Sequence, residues 1–349
     1  MRDGLGRGAD VVDVGVDLAQ WERLLFAAAY TRRWSGRWRT AWNLSGGLET
    51  RARTEIERRA RRLGADAVLQ MMDVAGVRSL PYFVYHDMSL DLLLEFTDEH
   101  GLASAPNYPG VPRATLERLR RRQRRIFAAA TGVIVMSRWV ADHLVSVSGL
   151  DPARVHVVPP GVNVPLPPDL VEPRSAPRTR LLFVGRTLRG KGGDHVLGAL
   201  RLLRLSQPGV TLTIVGPPDS ALPDGIPEGV TYLGPTAPAQ VSGLMANHDL
   251  LVMPSPFDAF GLVFAEALCH GLPSVALDRG AAPEILGGAG VLSPSSDREV
   301  LASVIGSALA DDALYERCAA GQPEARRYYS WDRAARELGE IISRPPPDN

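Results

Sequence analysis

Lysine is almost missing from this sequence. Of its 39 basic residues, 38 are arginine and one is lysine, Lys191. An arginine bias of that size reflects a GC-rich coding sequence, and against it a surviving lysine calls for an explanation. Cysteine is nearly as scarce. Cys269 and Cys318 are the only two, which excludes a disulfide framework and a four-thiolate zinc site and fits a reducing cytosol. Net charge is absent: 39 basic residues balance 39 acidic ones. A broad electrostatic footprint for nucleic acid would need a basic excess, so that partner class is not expected. Long apolar runs are lacking too. Stretches such as 132–136 and 250–253 fall far short of the roughly 18 residues of a membrane span. The first 13 residues are polar and glycine-rich, without a signal-peptide core. No D-x-D triplet occurs, so a divalent-metal clamp is unsupported and no metal or cofactor is expected. No G-x-G-x-x-G follows a first strand, which weakens a dinucleotide-dependent oxidoreductase.

What remains is a globular chain. Apolar residues make up 45% and charged residues 22%, ordinary for a folded soluble protein and unlike a disordered, collagenous or coiled-coil one. At roughly 150 residues per domain, 349 residues predict two.

The second half is the easier to parse. Short apolar runs at 180–185, 210–216, 230–234, 250–255, 274–277 and 290–293 predict buried strands. Between them, 194–206, 239–247 and 262–270 have helical patterns, the first with Asp194 as a candidate cap. Strands alternating with helices predict a parallel sheet covered on both faces. The first half repeats the theme, with strands at 9–14, 65–70, 82–86, 132–137 and 155–159 and helices at 18–30, 49–63 and 115–130. Seven prolines between Pro159 and Pro177 predict a linker. Seven arginines between Arg113 and Arg125 allow two readings: a basic helix that meets anionic lipid, or a solvated face whose Leu116, Leu119 and Ile126 point to the core. The second is favoured, and a weak peripheral membrane contact through 113–125 stays as the alternative.

Two constellations carry chemistry. The first is Gly185-Arg186-Thr187-Leu188-Arg189-Gly190-Lys191-Gly192-Gly193, between a predicted strand and a predicted helix. Ligands of α/β sheets sit at the C-terminal ends of strands, and a helix start offers unpaired N–H groups to a phosphate. Arg186 adds a fork of donors and Lys191 a point charge. The second is Pro254-Ser255-Pro256-Phe257-Asp258-Ala259-Phe260-Gly261-Leu262, followed by Glu266 in the helix. Asp258 can face a ligand from the loop. Glu266, eight positions on and flanked by Ala265, Ala267 and Leu268, is a carboxylate that needs partners and could hold a ribose diol.

The order and spacing of these blocks resemble glycosyltransferase family 4, retaining enzymes of the GT-B fold. Further pieces of the resemblance are Gly280-Ala281-Ala282-Pro283-Glu284, Val158-Pro159-Pro160-Gly161-Val162-Asn163, Ile134-Val135-Met136-Ser137 and Tyr329-Ser330-Trp331. Together they span about 65–343. The resemblance implies an α/β protein of two Rossmann-like domains facing a central cleft: an acceptor-binding domain over 1–165, rejoined by 330–349 as a C-terminal helix crosses back, and a nucleotide-sugar-binding domain over 178–329. It implies a metal-independent transfer of a hexosyl group, with retention, from a nucleotide-diphosphate sugar to a hydroxyl acceptor in glycan or glycoconjugate synthesis. The localisation it suggests is cytoplasmic, with association at the inner face of the membrane as an option.

Residue by residue, Arg186 and Lys191 would bind the diphosphate, Glu266 the ribose and Asp258 the transferred sugar. The amides near Phe260, Gly261 and Leu262 would help hold sugar and phosphate. Gly185 would line the phosphate loop, Leu233 would border the base, and His86 would approach the sugar from the first domain. The implied catalytic set is therefore His86, Arg186, Lys191 and Asp258. Charge developing on the leaving phosphate would be neutralised by Arg186, Lys191 and the helix dipole, and no protein nucleophile is assigned.

Two departures stand out. The family has Glu where this chain has Asp258, which bears on sugar identity. The chain also opens at what reads as the second strand, and Ser45-Gly46-Gly47 does not follow a strand. A missing first strand would leave a gap in the sheet, so poor stability or low activity is expected of the chain as written; one sharp melting transition with ordinary turnover would refute that. The altered Asp258 and the reduced start motivate an alternative, a catalytically idle nucleotide-sugar-binding subunit that partners an active transferase.

Overall fold

The computed structural model describes residue 12, 31–34, 37–40, 46–100, 108, 110–218 and 225–344. The strand expected over 9–14 and the helix expected over 18–30 fall outside the described residues, Val12 excepted. The chain forms two compact units. One comprises Pro160–Ala334, and the other the chain before Pro160 together with its end from Ala335.

The N-terminal unit begins with an antiparallel hairpin of β1 (Thr31–Trp34) and β2 (Arg37–Thr40). Helix α1 (Gly46–Leu63) follows, so Gly46 and Gly47 open a helix. Then come β3 (Val68–Met71), β4 (Tyr82–His86), α2 (Leu90–Glu99), α3 (Arg113–Ala129), β5 (Gly132–Val135), α4 (Arg138–Ser146) and β6 (Val155–Val157). The four strands β3 to β6 pair in chain order, all parallel. Every residue of β4 is buried, as befits an apolar run with neighbours on both sides. Ile56 of α1, Phe127 of α3 and Leu144 of α4 close the core over Val84 and Val133.

Serine hydroxyls start two of these helices. Ser89 Oγ accepts the Leu92 N–H at 3.1 Å and Ser137 Oγ the Val140 N–H at 3.4 Å. The strand expected to run through Ser137 therefore stops at Val135, because Ser137 is already the cap of α4.

The arginine-rich helix α3 turns Leu116, Leu119 and Ile126 inward, as its spacing predicts. Five of the seven arginines are engaged by carboxylates of the same unit. Arg113 makes two bonds to Asp98, of 2.6 and 2.8 Å. Arg120 reaches Glu117 and Asp91, Arg124 reaches Asp91, and Arg122 and Arg125 share Glu49. The basic run is thus largely spent on internal ion pairs; Arg118 and Arg121 are exposed.

The C-terminal unit contains β7 (Arg180–Val184), α5 (Gly193–Ser206), β8 (Thr211–Val215), β9 (Val230–Gly234), α6 (Pro238–Asn247), β10 (Leu250–Val252), α7 (Leu262–Cys269) and β11 (Ser274–Leu277). After these come α8 (Ala282–Leu286), β12 (Gly290–Ser293), α9 (Arg298–Ala310) and α10 (Asp312–Tyr328). Helix α11 (Trp331–Ile342) starts in this unit and carries the chain into the other. The six strands are parallel, in the order β12-β11-β10-β7-β8-β9. Leu181, Leu182 and Phe183 of β7 and Leu250, Leu251 and Val252 of β10 are fully buried, because helices cover both faces of the sheet's centre. The order of connection reverses between β7 and β10, so the loops leaving those two strands diverge to opposite faces and leave a crevice.

The proline-rich stretch differs from the expected linker. It is a strap fastened to the C-terminal unit. The buried Arg174 guanidinium donates to the carbonyls of Met245, His248, Gly271 and His270. Arg178 stacks 3.8 Å over the Tyr315 ring and reaches the Leu309 carbonyl. From the other side, Arg326 donates to the carbonyls of Pro167 and Asp169, and the Val171 N–H donates to Gln322 Oε1 at 3.0 Å. Proline composition made the strap stiff, but arginines hold it in place.

Arg174 joins the ends of α6 and α7 without a carboxylate partner among the described residues, so replacing it leaves several buried carbonyls unpaired. Arg174→Ala is expected to destabilise the C-terminal unit by about 3–5 kcal/mol, read as a lowered urea midpoint; a shift under about 1 kcal/mol would show that water replaces the guanidinium.

Candidate functional site

The crevice between β7 and β10 is built from glycine. Gly216 follows β8 at φ +105°, and a Cβ there would collide with the Gly185 carbonyl. Gly192 sits at φ +78° with its Cα against the Pro254 carbonyl, leaving no room for a side chain. The first approach closes the ends of β7 and β8, and the second brings the loop after β7 and the loop after β10 together. Lys191 then reaches across: its Nζ lies 2.7 Å from Asp258 Oδ2 and 3.5 Å from the Phe257 carbonyl oxygen. The Gly261 N–H donates to the other carboxylate oxygen, Asp258 Oδ1, at 3.0 Å. Lys191 and Asp258 are both partly exposed.

Two helices start here, and neither is capped by a side chain. Helix α5 begins after Gly192 and α7 after Gly261, both glycines left-handed and both without a side-chain acceptor. Helices α2, α4, α9 and α10 of the same chain have Ser or Asp caps, whereas α3, α6 and α8 also lack one. Asp194, expected to cap α5, lies inside its first turn. The crevice thus presents two positive helix ends and Lys191; Arg186, on the loop that carries Lys191, is exposed and pairs with no described residue. That arrangement suits an anion with several phosphate oxygens.

Other expected residues fall in different places. The Gly185 amide is not available to a ligand, because it donates to the Val215 carbonyl at 3.0 Å and extends the sheet. Phe260 is buried, its ring edge-on to Tyr329 at 6.4 Å. Leu262 is the first residue of α7. Tyr232, Leu233 and Gly234 belong to β9, the strand expected over 230–234. Leu233 is exposed, while the Tyr232 hydroxyl donates to the Pro217 carbonyl at 2.7 Å. Glu266 is 8% exposed, more buried than expected, and it already has partners: its Oε1 accepts the Asn163 N–H at 3.2 Å. Burial pushes its carboxyl up, against the bonds from the Asn163 and Val164 amides. Glu266 therefore also fastens the start of the strap.

His86 ends β4 in the N-terminal unit. It is 4% exposed, and both ring nitrogens have partners. Nε2 lies 3.2 Å from Asp73 Oδ1; Nδ1 lies 3.1 Å from Asp87 Oδ1 and 3.0 Å from the Met88 N–H. A sugar contact through the ring would require one of these bonds to be exchanged. Burial alone would lower the pKa of the imidazole, but the Asp73 and Asp87 carboxylates override it and push it up to about 9. Asp73 is held low by His86 and Arg122 despite its burial. Arg122 fixes this loop by donating to the carbonyls of Asp73 and Val74 at 3.1 and 2.5 Å. Sequence reasoning missed Asp73 and Asp87. The available signal was their position just beyond two predicted strands, Asp87 directly after one and Asp73 three residues after the other, where α/β sheets place ligands.

Among the described residues, no group of three or more His, Cys, Asp or Glu side chains is placed to hold a metal ion. Also among them, no helix is long and apolar enough to cross a membrane.

Comparison with known proteins gives this arrangement a class. Residues 178–311 match the family model described as "Glycosyl transferases group 1", and residues 26–165 match "Glycosyltransferase Family 4". The chain belongs to this glycosyltransferase family, with one matching model in each unit. Curated relatives include a D-inositol 3-phosphate glycosyltransferase of Xylanimonas cellulosilytica, 32% identical over 63% of this chain and 58% of that protein. Another, from Jonesia denitrificans, is 31% identical over 58% of this chain and 54% of that protein. The match thus spans little more than half the length of these relatives. Among solved structures, sucrose-phosphate synthase from Thermosynechococcus elongatus has a TM-score of 0.68 at 20% identity, covering 89% of this chain and 81% of that one. HepE of Anabaena, in complex with UDP and glucose, has a TM-score of 0.61 at 19% identity, covering 84% and 82%. The fold is the GT-B fold of these glycosyltransferases.

Two outcomes are expected. Gly192→Ala adds a Cβ where Pro254 stands and forces a left-handed residue, so it should lower stability by about 1–3 kcal/mol and weaken phosphate binding in titration calorimetry; wild-type behaviour in both would mean the two loops are not braced against each other. For His86, the proton is held more tightly in the folded protein than at the ordinary value of 6.5. Its stabilisation is therefore complete below pH 6.5 and is lost as pH rises through about 9. His86→Asn should flatten that decline in urea-unfolding free energies, and an unaltered slope would count against a charged ring.

Proposed function

We propose that this protein transfers a sugar from a nucleotide-diphosphate donor to a hydroxyl acceptor. The observation that carries the reading is the pair of uncapped helix starts flanking Lys191 and Arg186 at the reversal point of the C-terminal sheet. Two helix starts, the Lys191 ammonium and Arg186 on the same loop supply positive charge there, and a diphosphate is an anion that such a set suits.

In this reading Arg186 and Lys191 bind the diphosphate together with the starts of α5 and α7. Asp258 stands beside the transferred sugar, Glu266 meets the ribose, and Leu233 borders the base. The bond between the sugar's anomeric carbon and the phosphate oxygen breaks, its electron pair going to the phosphate. The acceptor oxygen bonds to the same carbon on the same face, and its proton passes to the departing phosphate. Helix ends and cations that are already in place neutralise the charge that develops on the leaving group. No metal and no protein nucleophile takes part. The N-terminal unit supplies the acceptor side, with His86, Asp73 and Asp87 at the ends of its strands. The relatives named as D-inositol 3-phosphate glycosyltransferases support a polyol as the acceptor class, and the HepE complex supports a UDP-sugar as a donor to try first. Membrane contact through 113–125 is left out, because ion pairs within the unit engage most of those arginines.

The test is a thermal-shift panel of UDP-, GDP-, ADP- and TDP-sugars, followed by release of free nucleotide from the donor that binds. One donor should stabilise the wild type and be consumed slowly without acceptor; binding without release would favour an idle subunit. Lys191→Ala should weaken that donor at least tenfold, about 1.4 kcal/mol, with the melting temperature of the unliganded protein kept. An unchanged affinity would remove the phosphate assignment.

A further inference from the structure

The Asp258 carboxylate sits where an anion belongs. One oxygen takes the Lys191 ammonium at 2.7 Å and the other takes the Gly261 N–H at 3.0 Å. A cation and a helix-start amide are the donors a phosphate would use. The protein therefore places its own negative charge among the groups assigned to the diphosphate. Asp258 is held there from two sides and does not simply hang into solvent. A phosphate oxygen sharing the Lys191 ammonium would lie about 4–5 Å from the carboxylate, since two acceptors on one ammonium are each within about 3 Å of it.

At that distance ligand charge matters. A nucleotide sugar has one negative charge on each phosphate, because the sugar esterifies the outer one. The spent nucleoside diphosphate has an unesterified terminal phosphate, which at neutral pH is largely dianionic, as phosphate monoesters are. The product thus carries about one more negative charge than the donor, at the phosphate nearest Asp258. We propose that Asp258 makes the site discriminate by ligand charge, favouring the sugar ester over the free nucleoside diphosphate and so helping the spent nucleotide to leave. This rests on the donor-site reading above and adds to it a role for Asp258 that is separate from contact with the sugar.

The experiment compares the wild-type chain with Asp258→Asn, Asp258→Ser and Asp258→Glu, each checked for folding by circular dichroism. UDP, GDP and ADP and their glucose esters are titrated by calorimetry at one pH and one salt concentration. For the base that binds, the affinity of the free diphosphate relative to its ester should rise on the order of tenfold in the two neutral variants. It should stay at the wild-type ratio in Asp258→Glu, which keeps the charge. Equal tightening of both ligands would overturn the proposal, since Asp258 would then only withhold Lys191. Loss of the ester with no gain for the free diphosphate would also overturn it, since Asp258 would then be a sugar ligand alone. If no diphosphate or ester binds the wild type at all, the donor-site reading fails and this proposal goes with it.

Discussion

A carbonyl group lies where a side chain would be. The Pro254 oxygen occupies the space beside Gly192, and that contact lets the loops after β7 and β10 close on each other. Lys191 ends a short 3-10 turn (Arg189–Lys191) and spans to Asp258, while the left-handed Gly192 that follows turns the chain into α5. The same geometry leaves the start of α5 without a side-chain cap. Backbone clearance and an open helix end are thus consequences of one missing Cβ.

The surroundings keep that arrangement rigid. Glu266 lies on the buried side of α7 and holds the first residues of the strap through the Asn163 amide. His270, at the end of α7, is fully buried; its Nδ1 faces the Glu266 carbonyl at 2.7 Å and its Nε2 faces Ser242 Oγ at 3.0 Å. Arg174 then ties the ends of α6 and α7 to the strap. The helix that presents its bare start to the crevice is therefore anchored at its other end by three buried polar groups, each with partners. Catalytic groups need support of this kind if they are to stabilise charge without reorganising.

Much of the fold could be read from the sequence, for reasons that differ by region. Strands β9, β11 and β12 show at their true limits because each is a short run bounded by glycine or proline; of the three only β11 is covered throughout, β9 and β12 being the partly exposed edges of the sheet. Helices α2 and α4 were not anticipated. Each is brief and follows a strand closely, and its start is marked only by one serine. The strap was misread because composition reports stiffness but not attachment; its attachment comes from Arg174 and Arg178, whose partners lie some 70 to 130 positions away. At the candidate site the residue types were legible and their pairings were not. Spacing marked Lys191, Asp258 and Glu266. It could not say that the first two bond to each other, that Glu266 is held by a backbone amide, or that the Gly185 amide is consumed by the sheet.

The scarcity of lysine has a chemical consequence. Apart from a chain terminus, the molecule carries a single primary amine, and that amine stands in the crevice between β7 and β10. An acylating or imine-forming reagent that spares guanidinium therefore has one internal target. Its rate of attachment reads out directly whether the carboxylate opposite, or some incoming anion, is holding that nitrogen.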